Sequence, residues 1–145
     1  MIEIKIINNS NNKTPSLATP GSAGADLRAN LEKTVVLKPL ERKLIPTGLK
    51  MEIPLGYEVQ IRPRSGLAYK HGISVLNSPG TIDSDYRGDI GVILVNLSNQ
   101  SFEINNGDRI AQMILSRHEI PNFVEQKELS SSLRQEGGFG STGKK

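Results

Sequence analysis

Aspartates crowd one polar stretch of the chain. The string NSPGTIDSDYRGDI, Asn77–Ile90, contains Asp83, Asp85 and Asp89, with Tyr86 among them. A carboxylate held beside a ligand can take a proton from water, and a tyrosine ring can pack flat on a sugar. Aspartate also favours turns, so a hairpin with a polar tip explains the same string. The string alone does not decide which aspartate acts.

A second string, RPRSGLA, suits a ligand with anionic oxygen atoms. Arg64 supplies a planar set of donors, Ser65 a hydroxyl, and Gly66 lets the backbone approach closely. We predict a short helix here, with Ser65 as its cap and Gly72 ending it in the left-handed conformation. The start of a helix attracts phosphate, whereas a capped turn with a solvated arginine is the simpler alternative.

Two more polar residues stand among apolar or small neighbours. Asp26 in SAGADLRA is either structural or faces a hydrated Mg²⁺ ion, which usually keeps several waters and takes few protein carboxylates. In GDRIAQMIL, a predicted strand places Gln112 on one face with Ile110 and Ile114. A buried amide needs partners, so Gln112 is expected to bond to the backbone or to a ligand.

The elements that must position these residues are short strands. Apolar residues alternate with polar ones, as in MIEIKIINNS, and turn signals such as IPTG, NSPG and NNGD separate the runs. The pattern predicts an all-β fold, as a sandwich, jelly roll or barrel, with one short helix. We expect residues 1–133 to form the core domain and Arg134–Lys145 a flexible arm, with plain disorder of the tail as the alternative.

Composition narrows the class of protein. The 145 residues suit one domain, and the net charge of +3 fits a nucleic-acid binder or an enzyme for a polyanionic small molecule. The absence of cysteine excludes thiol chemistry and favours a cytoplasmic location. No apolar run is long enough to span a membrane, so no membrane association is expected. His71 and His118 lack partners at triad spacing, which favours direct attack by water over covalent catalysis.

Taken together, five strings resemble the five motifs of the trimeric dUTP diphosphatases (dUTPases) in order and spacing. They are SAGADLRA, RPRSGLA, NSPGTIDSDYRGDI, GDRIAQMIL and RQEGGFGSTG, which span Ser22–Gly143. Gln135 stands where a glycine is frequent, which would stiffen the arm. Gly91 stands where other members vary, so it would act through its backbone. The resemblance implies a jelly-roll-like β subunit and a homotrimer whose sites combine motifs from all three chains.

The resemblance also implies an activity. The protein would hydrolyse dUTP to dUMP and pyrophosphate with Mg²⁺, which keeps uracil out of DNA and supplies dUMP for thymidylate synthesis. Asp83 would be the general base for water attacking the α-phosphorus and would accept a bond from the 3′-hydroxyl. Tyr86 would leave no space for a 2′-hydroxyl, and Asp26 would contact Mg²⁺ through water.

The remaining site residues implied by the resemblance fall into three groups. The uracil edge would be read by Asn77 and the backbone near Gly80, Thr81, Ile82 and Gly91. The phosphates would be held by Arg64, Ser65, Gly66 and Gln112. From the arm, Phe139 would stack on the uracil, and the γ-phosphate would be closed in by Arg134, Gly140, Ser141 and Thr142.

Two other classes of protein are alternatives to a dUTP diphosphatase. A dCTP deaminase would share the fold, but NSPGTIDSDYRGDI contains no glutamate suited to attack on a cytosine ring. A non-enzymatic β-sandwich that binds nucleic acid or protein is disfavoured by the 4% aromatic content and the small net charge. No stable nucleic-acid binding is therefore expected.

Overall fold

The computed structural model describes residues 1–138, and within this range the chain forms ten strands and one helix. The predicted all-β fold with one short helix is confirmed. The strands are β1 Lys5–Asn8, β2 Ala25–Arg28, β3 Val35–Leu37, β4 Arg42–Glu52, β5 Tyr57–Arg62, β6 Ile73–Val75, β7 Gly80–Ile82, β8 Ile90–Asn96, β9 Phe102–Ile104 and β10 Arg109–Arg117, and the helix is α1 Ser65–His71.

The strands form two four-stranded sheets and one two-stranded sheet, all antiparallel. The first has the order β1-β4-β8-β6, the second β2-β10-β5-β7, and the third pairs β3 with β9. Strand β10 lies between β2 and β5, with Gln112 opposite Asp26 on one side and Arg62 on the other. This pairing brings three of the chemically interesting strings to one sheet.

The core is a single cluster built from residues of all three sheets. Its fully buried members include Leu27, Leu37, Ile45, Leu94 and Ile104. Each such side chain contributes roughly 1.5–3 kcal/mol through removal of apolar surface from water. The alternation of buried and exposed residues along the strands is the period of two that the sequence shows.

Two buried polar residues tie the strands together with satisfied hydrogen bonds. Thr47, beside a bulge in β4, donates its hydroxyl to the carbonyl of Ile90 at 2.7 Å. The amide of Asn96 donates to the carbonyls of Leu37 at 2.9 Å and Gln100 at 2.7 Å. A buried polar group without a partner is costly. The Thr47 bond therefore helps to hold β4 against the start of β8, beside the candidate site, and the Asn96 bonds tie the end of β8 to β3 and to the loop that follows β8.

Helix α1 differs from the prediction at its start and agrees with it at its end. Ser65 was predicted to be the cap, which is wrong. Arg64 is the capping residue, with an extended backbone and no side-chain capping bond, and Ser65 is already helical. The reason is that the N–H of Ala68 donates to the carbonyl of Arg64 at 3.0 Å, which starts the helical bonding at Arg64. Gly72 ends the helix with φ 65°, as predicted.

The chain after β10 contains no further strand or helix within the described range, up to residue 138. A turn spans Arg134 to Gly137, where the N–H of Gly137 donates to the carbonyl of Arg134 at 3.0 Å. Gln135 lies in this turn with φ 47°, a left-handed value for a residue with a side chain. The boundary between core and arm at residues 133 and 134 stays a prediction. None of the helical structure within residues 1–138 has the length and apolar character needed to cross a membrane.

Candidate functional site

An open cleft lies beside the β7–β8 connection. Its volume is about 530 Å³. Six of the predicted site residues line it: Asn77, Thr81, Ile82, Asp83, Tyr86 and Gly91. The antiparallel pairing of β7 with β5 fixes the position of this connection, since Thr81 lies opposite Gln60 and Ile82 opposite Val59. The structure thus brings most of the predicted nucleoside-binding residues to one surface.

Asp89, one of the three candidate aspartates, also lines the cleft. The rest of the wall was not predicted from the sequence and comes from Leu44, Pro46, Ile90 and Ile93. Leu44 lies opposite Ile93, and Pro46 opposite Gly91, on the face of the β4–β8 pair turned away from the core. Their spacing of two along each strand was the available signal. A Cβ atom on Gly91 would lie 2.6 Å from Leu44 Cδ1, so this glycine keeps the wall close to the strand.

A tight turn presents Asp83 and Tyr86. The N–H of Tyr86 donates to the carbonyl of Asp83 at 3.2 Å, and the tyrosine hydroxyl donates to the carbonyl of Asp89 at 3.0 Å. Arg87 closes the turn by donating to the carbonyl of Ser84 at 2.7 Å. The Asp83 carboxylate is exposed and makes no hydrogen bond or ion pair with any residue from 1 to 138. It is therefore available to a ligand or to water.

Gly80 has a different place from the one expected. It is buried, pairs with Ile61 across the sheet and does not line the cleft. A Cβ atom at this position would lie 3.2 Å from the amide nitrogen of Asn77. Gly80 thus backs the Asn77 side chain and leaves it room at the edge of the cleft.

A second group, here called the arginine cluster, consists of Asp26, Arg64 and Arg109. The Asp26 carboxylate lies 3.0 Å from Nε of Arg64 and 3.2 Å from a terminal nitrogen of Arg109. Arg64 also donates to the carbonyl of Arg109 at 3.1 Å. Two guanidinium groups share one carboxylate, so the cluster keeps a net positive charge. Since its side chains are partly exposed, that charge can meet an anionic ligand.

Gln112 stands next to this cluster. Its amide donates to the carbonyl of Pro63 at 3.0 Å, so the amide has found a backbone partner. A Cβ atom on Gly24 would lie 2.8 Å from its amide oxygen and 3.3 Å from Ile114, which puts Gln112 and Ile114 on one face, as predicted. Ile110 was predicted to share that face, which is wrong. A bulge between Arg109 and Ala111 turns Ile110 into the core, where it is 2% exposed.

Ser65 is exposed at the start of α1, and Gly66 follows it with no atom near the position of a Cβ. Arg134 donates through Nε to the carbonyl of Gly137 at 2.6 Å, within its own turn. The predicted contacts of Phe139, Gly140, Ser141 and Thr142 lie outside the described residues and stay predictions.

The cleft and the arginine cluster are separate in the single chain. They share no residue, and no hydrogen bond or ion pair joins them within residues 1–138.

The predicted contact of Asp26 with Mg²⁺ can be tested against the side chains that could act as metal ligands. No group of three or more His, Cys, Asp or Glu side chains that could hold a metal occurs in the described range. One carboxylate fits Mg²⁺ that takes its other ligands from phosphate and water, and does not fit an all-protein cage.

A free carboxylate in an open cleft, together with a cationic cluster on a β-sheet, defines a protein suited to a small, strongly anionic ligand. Comparison with known families narrows this class. The family model described as dUTPase matches residues 10–143, and the chain belongs to the dUTPase family. The all-β fold agrees with this membership.

Similar proteins span nearly the whole chain. The deoxyuridine 5′-triphosphate nucleotidohydrolase of Cytophaga hutchinsonii is 60% identical over 97% of this chain and 92% of its own length. The protein of the same name from Finegoldia magna is 57% identical over 98% of this chain and 99% of its own. A solved structure of a Staphylococcus bacteriophage 80alpha dUTPase mutant with dUpNHpp has a TM-score of 0.87 and 26% identity, covering 97% of this chain and 98% of that one.

Proposed function

We propose that the protein is a dUTP diphosphatase, which hydrolyses dUTP to dUMP and pyrophosphate. The observation that carries the proposal is the cleft, where an unpaired carboxylate, a tyrosine ring and an amide meet in a member of the dUTPase family. The product would supply thymidylate synthesis, and the reaction would keep uracil out of DNA. The absence of cysteine fits a cytoplasmic location.

The cleft would hold the nucleoside part of the substrate. Asn77 and the backbone of Thr81, Ile82 and Gly91 would bond to the uracil edge. A site built from such groups rejects cytosine because the mismatched donors and acceptors would be left unpaired. The ring of Tyr86 would pack under the deoxyribose and exclude a 2′-hydroxyl.

Asp83 would act as the general base. It would take a proton from a water molecule whose oxygen forms a bond to the α-phosphorus. The bond from that phosphorus to the bridging oxygen breaks, and pyrophosphate leaves with the electron pair. The exposure of the Asp83 carboxylate and its lack of a cationic partner within residues 1–138 support this role, because its lone pairs are not already engaged.

The arginine cluster would meet the phosphates. Arg64 offers its guanidinium, and Ser65, Gly66 and Gln112 lie beside it on the neighbouring elements. Mg²⁺, when bound to the substrate, would neutralise phosphate charge and so favour attack by water. Asp26 would contact that ion through coordinated water while holding the two arginines in place.

We further propose that three chains share each site. The separation of the cleft from the arginine cluster in one chain supports this arrangement, since one nucleotide must reach both groups. One chain would supply the cleft, a second the arginine cluster, and a third the arm from Arg134 onward, with Phe139 stacked on the uracil and Gly140, Ser141 and Thr142 at the γ-phosphate. A base–aromatic stack of this kind contributes roughly 1–3 kcal/mol.

Pyrophosphate release from a panel of nucleoside triphosphates, with and without Mg²⁺, tests the activity. We expect release from dUTP, little from UTP, dCTP or dTTP, and a strong dependence on Mg²⁺. Ammonia release from dCTP would instead identify a deaminase. Salt-sensitive binding to single-stranded DNA without any turnover of dUTP would identify a binding protein and overturn the proposal.

Mixing two inactive variants tests the shared site. Asp83→Asn removes the base from the cleft, and Arg64→Ala removes a guanidinium from the cluster. After denaturation and joint refolding, shared sites would regain part of the activity, because some sites combine an intact cleft with an intact cluster. Sites confined to one chain would stay inactive in the mixture. Sedimentation of the wild-type protein measures the trimer directly.

A further inference from the structure

Gly88 lies directly beneath the ring of Tyr86 but outside the cleft. A Cβ atom built on Gly88 would lie 2.3 Å from the tyrosine hydroxyl oxygen, 2.5 Å from Cζ and 2.9 Å from Cε2. Real Cβ atoms do not approach other atoms this closely, so no side chain fits at position 88 while the ring keeps its place. Gly88 does not line the cleft and is not among the site residues predicted from the sequence.

The backbone of Gly88 does not itself require glycine. The glycines of the described range with positive φ are Gly48, Gly56, Gly72 and Gly107, and Gly88 is not one of them. An alanine can therefore adopt the same backbone conformation. Glycine is required at position 88 because a Cβ atom there would collide with the Tyr86 ring.

The ring is held in this place from its other end as well. The Tyr86 hydroxyl donates to the carbonyl of Asp89 at 3.0 Å, so the side chain folds back along its own turn across Gly88. Tyr86 is nevertheless 44% exposed, and no core packing fixes its orientation. A Cβ atom at position 88 would lift the ring and break the bond to Asp89 together.

We infer that Gly88 is a positioning residue that sets the height of the Tyr86 ring at the edge of the cleft and thereby determines the selectivity for deoxyribose over ribose. The inference rests on the proposed function, in which this ring excludes the 2′-hydroxyl. A ring lifted from the turn no longer presents the same face to the sugar. Gly88→Ala should therefore reduce selectivity, since exclusion by a wall depends on the wall's position.

The test compares kcat/KM for dUTP and for UTP in Gly88→Ala, in Tyr86→Ala and in the double variant. We expect Gly88→Ala to lower the dUTP/UTP ratio by about tenfold, the order of discrimination that a single steric contact provides. In the Tyr86→Ala background the ring is gone, so adding Gly88→Ala should leave the ratio unchanged. Gly21→Ala is the matched control, because a Cβ atom there would meet nothing within 4 Å and its φ is not positive.

Each outcome decides a different point. The inference is overturned if Gly88→Ala leaves the ratio of kcat/KM for dUTP to kcat/KM for UTP unchanged. It is also overturned if the substitution lowers this ratio equally in the wild-type and in the Tyr86→Ala backgrounds. If Gly88→Ala does not fold, the Tyr86→Ala/Gly88→Ala double variant decides. A folded double variant supports a collision between the methyl group added at position 88 and the Tyr86 ring. A double variant that also fails to fold overturns the inference. No hydrolysis of dUTP by the wild-type protein would instead refute the proposed function, so the two failures are distinguishable.

Discussion

The cleft and the arginine cluster both contain carboxylates, and Asp83 in the cleft is held in the opposite way to Asp26 in the cluster. Asp26 lies within 3.2 Å of two guanidinium groups and is partly buried against them. Asp83 is exposed on a turn and has no cationic partner among residues 1–138. The paired carboxylate can organise its neighbours, whereas the unpaired one can accept a proton or a hydrogen bond. Under the proposed function, Asp26 would organise the two arginines and Asp83 would take part in the chemistry.

The two regions also differ in the polarity of the side chains that form them. Apolar side chains such as Leu44, Pro46 and Ile93 form part of the cleft wall, which suits the proposed contact with the nucleoside. The cluster is formed by charged side chains from β2, from β10 and from the connection between β5 and α1. A nucleotide has one apolar end and one anionic end, and each region suits one of them.

Asp83→Asn should have the largest effect. The amide cannot take a proton from water, so we expect turnover to fall by about 10²–10⁴-fold. Binding of a non-cleavable dUTP analogue, measured by calorimetry, should persist because the cleft keeps its shape. Asp85→Asn is the matched control, since Asp85 lies on the same turn but does not line the cleft. Normal turnover by Asp83→Asn would show that the unpaired carboxylate is not the base.

Removal of Arg134–Lys145 should have the next largest effect. The truncated chain keeps every strand of the described fold, so we expect a trimer with little change in thermal stability. Activity should fall strongly, because the proposed arm would no longer cover the nucleotide bound between the cleft and the cluster. Sedimentation and steady-state turnover measure the two quantities separately. A truncated protein as active as the full chain would show that the arm has no part in the reaction.

Asp26→Asn should have a smaller effect of another kind. The neutral amide would lose its charge pairing with Arg64 and Arg109 and weaken any water-mediated contact to Mg²⁺. We expect the Mg²⁺ concentration at half-maximal activity to rise by roughly 10-fold, as for supporting groups around metals. Titration of activity with Mg²⁺ measures this shift. A fall in kcat at saturating Mg²⁺ as large as that of Asp83→Asn would contradict the division of roles.

Glu52→Gln should have the smallest effect, because it lies outside both regions. Lys5 donates to Glu52 at 2.8 Å, and this bond lowers the pKa of Glu52 below 4.5 and raises the pKa of Lys5 above 10.5. The Glu52 contribution to stability is therefore present above its unfolded pKa and lost as pH falls through the lower folded pKa. The Lys5 contribution is present below its unfolded pKa and lost as pH rises through the higher folded pKa.

The melting temperatures of Glu52→Gln and of the wild type, measured from acid to alkaline pH, test this pH dependence of stability. Near neutral pH the variant should melt slightly below the wild type, since both side chains are exposed and such pairs contribute little. In acid the two melting curves should converge, because wild-type Glu52 is then protonated. A difference that grows in acid would mean that Glu52 acts other than through its charge. Activity should be unchanged at any pH where both proteins are folded.

The sequence predicted the strands and the residues of the cleft more reliably than the local geometry. The period of two fixed which residues enter the core, and the turn chemistry placed Gly72 correctly at the end of α1. Ser65 and Ile110 were misplaced because single hydrogen bonds and a bulge shift the register by one residue, which no periodicity shows. Leu44 was missed because it lines the cleft only when separate strands meet in space. Gly88 was missed because residue spacing does not show that the Tyr86 ring folds back over its own turn.

Gln135 lies in the turn that precedes the glycine-rich end of the chain, with φ 47°. A side chain in this conformation costs roughly 1–2 kcal/mol that glycine would not incur, while glutamine also leaves the opened segment fewer backbone conformations than glycine does. The two contributions oppose each other. Substitution at position 135 should therefore shift the equilibrium between closed and open forms of the proposed arm, without changing any residue proposed to bind the nucleotide.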